Sequence, residues 1–271
     1  MKKKIVIFAN ERVGFETTKQ ILEQGYNVQG VFTSDQKRRS KIADYQDFLP
    51  LEQRFRTIPF HRIISPKAEN VVSQVKEYDP DLILVISWSQ IIPQELLDIP
   101  PLGTIGIHYS LLPERRGGAP FTWALIDGIN KTGLTLFYYD AGIDTGDIID
   151  QVKIEIFFED TIKTLLDKTL IWLPRLLLKN LDLILTNQNK RIKQDDFKAT
   201  SYPPRSPKDG EIDWTNENLN IYNFVRAQTT PYPCAFTSVV DKNGVKKKLI
   251  IKKYSIKKKK AIIEGTIEDY E

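Results

Sequence analysis

The sequence is poor in the residues that most often announce a site. Its 271 residues hold one cysteine, Cys234, one methionine and two histidines, His61 and His108. A single thiol excludes an intramolecular disulfide and any metal site built from cysteines, so no metal is expected. No stretch reaches the roughly 18 uncharged apolar residues that a membrane-spanning helix needs. The basic start at Lys2–Lys4 leads into an apolar run too short for a secretory signal, cut off by Glu11 and Arg12, and the expected location is cytoplasmic. Neither G-x-G-x-x-G nor G-x-x-x-x-G-K-[ST] follows that run, which argues against an ordinary nicotinamide or ATP site.

What is present reads as a soluble α/β protein. Hydrophobic residues make up 41% and charged residues 27%, enough apolar content to bury a core. The net charge of +4 is small, but nine lysines crowd the stretch from Lys246 to Lys260. Apolar runs over Lys4–Ala9, Tyr26–Phe32, Asp81–Trp88 and Thr104–His108 alternate with helix-compatible spacing over Glu11–Gln24 and Ala68–Tyr78. Such β-α-β crossovers build a doubly wound, mostly parallel, Rossmann-like sheet. A short strand is expected at Ile58–Phe60, further strands at Leu134–Tyr139 and Val152–Ile156, and helices over Ala119–Asp127, Asp160–Leu185 and Leu219–Arg226. Pro174 should kink or divide the helix of Asp160–Leu185. Residues 187–207, polar and with Y-P-P-R-S-P, read as a linker. The expected organisation is a catalytic domain over 1–186, a linker over 187–207 and a smaller subdomain over 208–271, in which Lys246–Ile256 alternates as a half-buried strand does.

The chemistry concentrates between His108 and Asp150. His108 ends a strand on the side where doubly wound sheets bind ligands, and an imidazole exchanges protons near neutral pH. It runs into Ser110-Leu111-Leu112-Pro113 and then Arg116-Gly117-Gly118, a rigid turn followed by one that lets backbone approach a ligand. The loop D-A-G-I-D-T-G-D carries three acids, of which Asp144 is central. Asp144 either orients His108 and exchanges a proton, or caps an Asx turn. Asn10, at the end of the first strand, is a ligand contact or a turn former. Trp88 is core or a pocket wall, and the cluster Lys37-Arg38-Arg39 with Lys41 is a phosphate contact or a solvated loop. Nothing near His61 completes a site.

The motifs S-L-L-P, R-x-G-x-A-P, G-x-T-L and D-x-G-x-D-T-G-D-I coincide in order and spacing with those of the formyltransferases that use N10-formyltetrahydrofolate, and the chain resembles that family up to about Ile149. Beyond it, R-S-P-K-D-G-E-I-D-W and P-Y-P-C-A-F resemble the start of the small β-barrel subdomain of its longer members, here short of strands. The resemblance implies a catalytic trio of Asn, His and Asp. His108 and Asp144 match the second and third members, whereas Gly106 stands where the family has the asparagine that holds the formyl oxygen. It also implies formyl-folate along Val85, Ser87, Trp88, Ile91 and Ser110–Pro113, and an acceptor against Asn10, Arg12, Arg116 and Gly117. A relatively short loop at Gln36–Asp47, a shortened barrel and a modest net charge favour a nucleotide-linked amino sugar as acceptor. The methionyl group of initiator tRNA is the alternative, and a folate- or nucleotide-sugar-binding protein weakened by Gly106 is the third reading. Relatives of this kind are often homodimers.

Overall fold

A computed structural model of the chain describes residues 2–257 and 260–269. The elements run β1 Ile5–Ala9, α1 Glu11–Glu23, β2 Val28–Ser34, α2 Leu49–Arg54, β3 Phe60–Ile63, α3 Glu69–Tyr78, β4 Leu82–Ile86, α4 Gln94–Leu97 and β5 Thr104–His108. They continue with β6 Arg116–Gly117, α5 Pro120–Ile126, β7 Lys131–Tyr138, β8 Ile148–Glu155, α6 Ile162–Leu185, β9 Ser201–Tyr202, α7 Asn218–Arg226, β10 Ala235–Val240, β11 Lys246–Lys257 and β12 Lys260–Asp269.

Seven strands form one sheet in the order β3-β2-β1-β4-β5-β7-β8. The pairs β2–β3, β1–β2, β1–β4 and β4–β5 are parallel, and β5–β7 is antiparallel. This is the doubly wound α/β sheet that the alternating pattern implied. Strands β1, β4 and β5 are buried along their whole length, which is why each reads as an unbroken apolar run. The strand order reverses between β1 and β4, which makes their carboxyl ends the switch point where such sheets bind ligands.

The differences from the sequence reading are local. The third strand begins at Phe60 and contains His61, and the one-turn helices α2 and α4 replace stretches too short to show a period. Helix α6 is not divided at Pro174: it runs through 24 residues. Leu165, Leu166, Leu173, Leu176, Leu177, Leu181 and Ile184 are all buried along it, and that packing offsets the one backbone bond the proline removes. Residues 187–207 are not uniformly irregular, since Ser201–Tyr202 pairs with Arg116–Gly117.

The chain divides into two compact units with interleaved sequence. One comprises Met1–Arg116, Gly133–Lys153 and Lys168–Thr200, and the other Gly117–Thr132, Ile154–Asp167 and Ser201–Glu271. In the second unit β10, β11 and β12 form a three-stranded antiparallel sheet. Its core gathers Ile212, Ile221, Val225, Ala235, Ile251 and Tyr254. The strict alternation expected for β11 breaks at a register shift between Ile251 and Lys253, so that Tyr254 turns inward three residues after Ile251.

Candidate active site

Strand β5 delivers His108 to the carboxyl edge of the sheet, where its side chain is buried. Gly106 pairs with Phe137 and His108 with Thr135 across the β5–β7 ladder. Paired residues share a face and alternate ones repeat it, so Gly106, His108, Thr135 and Phe137 line one face, and Tyr139 continues it through its N–H bond to Thr104 O at 2.8 Å.

His108 Nε2 lies 2.7 Å from Arg115 O. A carbonyl oxygen only accepts, so this nitrogen carries the hydrogen, and neutral His108 presents a lone pair at Nδ1. That Nδ1 faces Asp144 Oδ2 at 3.5 Å. The structure thus brings together the histidine and the central acid of the D-x-G-x-D-T-G loop. Asp144 adopts a positive φ of 56°. Its loop is held by Gln194, whose Nε2 donates to Asp144 O and Gly146 O, both at 2.8 Å. Gln194 is in turn held by Arg116, which donates to its Oε1 from Nε at 3.0 Å and from one terminal nitrogen at 2.8 Å, and to Asp196 at 2.8 Å. Gly146 is a glycine because a Cβ there would meet Tyr138 O at 1.8 Å. Asp140 closes its own turn, accepting from Gly142 N–H and from Thr145 Oγ1.

The S-L-L-P loop is equally tied down. Ser110 Oγ donates to Glu114 O at 2.6 Å, and Leu112 N–H donates to Thr135 Oγ1 at 3.0 Å. Thr135 Oγ1 donates to Ser110 O at 2.7 Å, and Gln151 Nε2 donates to Leu112 O and to Thr135 Oγ1, each at 2.8 Å. The Leu112–Pro113 peptide is cis. Leu112 packs with Phe137 and Ile148, turning its side chain into the core, as Val85 does from β4. Gly106 is occupied from across the sheet: a Cβ built on it would meet the Tyr139 ring at 2.0 Å.

The switch point has a different character. Glu11 and Ser87 both take positive φ, 59° and 51°, and Ser87 Oγ donates to the Glu11 carboxylate while lying 3.0 Å from Tyr109 Oη. Burial, only partly opposed by the Ser87 hydrogen bond and reinforced by Asp44, pushes the Glu11 carboxyl up to about 7. Asn10 Oδ1 accepts from Ser34 N–H at 2.9 Å. Asn10 Nδ2 and Trp88 Nε1 are buried donors without a hydrogen-bond partner among the described residues. Trp88 sets its ring edge-on to Phe8, with centroids 5.6 Å apart. Arg12 is paired with Asp44, and Ile91 is 73% exposed. In the other unit Gly117, with φ 93°, lies against Tyr202 O.

His61 stacks on Phe32 at 4.7 Å and shares a 2.6 Å hydrogen bond with Tyr78, while burial lowers its pKa. It is a packing histidine. Among the described residues no group of three or more His, Cys, Asp or Glu side chains could hold a metal, and no helix is long and apolar enough to cross a membrane.

Residues 3–180 match the formyl transferase family, and residues 205–269 its C-terminal domain. The chain belongs to the formyl transferase family. The formyltransferase is 35% identical over 87% of its length to a methionyl-tRNA formyltransferase of Geobacillus sp. (strain WCH70), of which it covers 74%. Its fold matches a methionyl-tRNA formyltransferase from Clostridium thermocellum with a TM-score of 0.72 at 23% identity, over 99% of this chain and 100% of that one. It also matches a sugar 3N-formyl transferase solved in the presence of dTDP and 5-N-formyl-THF, with a TM-score of 0.66 at 21% identity, over 98% and 94% of the two chains. Arg116, Gln194, Thr135, Gln151 and Tyr139 carry the geometry around His108, and of these the sequence reading singled out Arg116 alone, as a substrate contact. Only hydrogen-bond partners distant in sequence distinguish the others.

Proposed function

We propose that this enzyme moves a formyl group from N10-formyltetrahydrofolate to a primary amine, with the methionyl group of initiator tRNA as the acceptor. The observation that carries the acceptor is the 35% identity to a methionyl-tRNA formyltransferase across 87% of the chain, which displaces the nucleotide sugar as the leading expectation.

The donor, when bound, supplies an activated formyl carbon: the amine nitrogen bonds to it, the carbonyl pair moves onto oxygen and returns as the C–N10 bond breaks, and the ammonium proton ends on N10. The protein's part is placement and proton handling. Asp144 Oδ2 and His108 Nδ1 face each other at 3.5 Å, a carboxylate beside an imidazole nitrogen, so the pair can take the ammonium proton and hand it on. Arg115 O fixes the His108 ring through Nε2, and Arg116 and Gln194 fix the Asp144 loop. A positioned acid–base pair of this kind contributes about 10²–10⁴ in rate. Leu112, Phe137 and Ile148 keep water from one side of it. Unpaired Asn10 Nδ2 and Trp88 Nε1 suit a heterocycle rich in acceptors, which supports folate at the neighbouring switch point.

A second acceptor, a nucleotide-linked amino sugar, is favoured by one observation. The segment after β2 lines a half-open surface pocket through Gln36, Arg39, Tyr45, Gln46 and Asp47, with polar side chains that a sugar nucleotide could meet. The experiment offers the purified protein N10-formyltetrahydrofolate with either methionyl initiator tRNA or a panel of nucleotide-linked amino sugars. Formylated tRNA is the expected product. Formylation of a sugar alone overturns the acceptor, and binding of folate without either product overturns transfer.

A further inference from the structure

Gly106 does not leave a hole. A Cβ at this position would lie 2.0 Å from Tyr139 Cε1, 2.6 Å from Cζ and 2.8 Å from Oη, so the tyrosine ring occupies the space a side chain on residue 106 would need. The ring is held there by its own strand. Tyr139 N–H is bonded to Thr104 O, the ring tilts against Phe137 with centroids 5.2 Å apart, and it packs on the clusters that contain Val85 and Leu112. Its hydroxyl therefore sits over Gly106, on the face that His108 occupies two residues further along β5. Tyr139 is only partly buried, and its hydroxyl makes no hydrogen bond among the described residues. Burial of the phenol and then the charge of Asp144 push its pKa upward, which favours the protonated, hydrogen-bond-donating form.

We infer that the Tyr139 hydroxyl is the oxyanion donor of this site, reaching from β7 to where residue 106 has no side chain to offer. The inference rests on the proposed formyl transfer. As the amine nitrogen bonds to the formyl carbon and the carbonyl π pair moves onto oxygen, Tyr139 Oη–H donates a hydrogen bond to that oxygen and keeps its proton. The pair returns as the C–N10 bond breaks, and the ammonium proton leaves by way of Asp144 and ends on N10. Glycine at 106 is then a requirement of space, because any Cβ would push the ring aside. A ring that merely fills the core would serve equally well without its oxygen.

Tyr139→Phe separates the two roles, since it keeps the ring and deletes the donor. We expect kcat for formyl transfer to fall about 10²-fold, as for loss of one oxyanion donor, with KM for the amine within about threefold and the thermal midpoint unchanged. A second readout needs no turnover. Calorimetry without acceptor compares N10-formyltetrahydrofolate with tetrahydrofolate, and the wild type's preference for the formylated form should shrink by about tenfold in Tyr139→Phe, as for loss of one hydrogen bond. In a Tyr139→Leu background, which vacates the space, Gly106→Asn should recover at least about tenfold of the lost rate. A Tyr139→Phe enzyme with wild-type kcat and wild-type preference overturns the inference while the proposed function stands. A wild type that formylates no amine overturns the proposed function, and the calorimetric comparison then decides the hydroxyl by itself.

Discussion

The carboxyl end of β5 and the switch point between β1 and β4 lie on the same edge of one sheet, yet they solve different problems. Around β5 the supporting polar groups are partnered: His108 on Arg115 O, Ser110 on Glu114 O, Thr135 and Gln151 on the S-L-L-P backbone, Gln194 on the Asp144 loop. At the switch point Asn10 Nδ2 and Trp88 Nε1 are buried without a partner among the described residues, and the Glu11 carboxyl is pushed up to about 7. Strain is common to both ends, in Arg115 and Asp144 at one and in Glu11 and Ser87 at the other. Satisfaction is not. The proposed reaction centre at β5 would have to hold its groups still before substrate arrives, and its supports are complete in the protein alone. A ligand cradle keeps donors in reserve, at a cost to the free protein of about 1–3 kcal/mol for each one left buried.

The comparison can be broken most severely at His108. His108→Ala and Asp144→Asn should each lower kcat/KM for formyl transfer by about 10³-fold, with unchanged circular dichroism. Wild-type rates in both would move the reaction away from β5. Next comes the support of that end. Arg116→Ala leaves the half-buried Gln194 side chain without the donors to its Oε1, and denaturant titration should show a loss of about 1–2 kcal/mol, with kcat reduced about tenfold as the Asp144 loop slackens.

At the switch point the expected effects are smaller and depend on pH. Glu11 binds its proton more tightly in the folded state, about 7 against the ordinary 4.5. Its contribution to stability is therefore fully present below about 4.5 and lost as pH rises through about 7. Unfolding free energies of wild type and Glu11→Gln should diverge by about 1–3 kcal/mol between pH 5 and pH 8, with the glutamine variant relatively more stable at the higher pH. Parallel curves would mean the carboxylate is solvated. The smallest change is Trp88→Phe, which removes an unpaired N–H and keeps a ring against Phe8. Stability should stay within about 0.5 kcal/mol, whereas calorimetry should show tetrahydrofolate binding weakened by about threefold to tenfold.

Much of the sheet was legible because burial on both faces writes itself as an unbroken apolar run, as in Ile5–Ala9, Leu82–Ile86 and Thr104–His108. The short helices at Leu49–Arg54 and Gln94–Leu97 were not, since a single turn has no period. The persistence of α6 through Pro174 depends on leucines packing along its length, and the inward turn of Tyr254 on a register shift. At the site, His108 and Asp144 could be chosen by their places in ordered motifs. Gln194 could not, because it reaches the Asp144 loop from 50 residues away and lay within a stretch that reads as linker.

The sequence by itself determined the doubly wound sheet and the family, and it singled out the motifs that carry His108 and Asp144, because those features are encoded by neighbours in the chain. It also exposed Gly106 as a departure, which read alone is a missing side chain. Only the tertiary structure decided what stands there. Tyr139, 33 positions later, fills the space because antiparallel pairing of β5 with β7 sets Phe137 opposite Gly106 and carries the next tyrosine of that face over it. Cross-strand register is a property of the folded sheet, so a substitution at one strand and its compensation on another cannot be paired until the sheet is built.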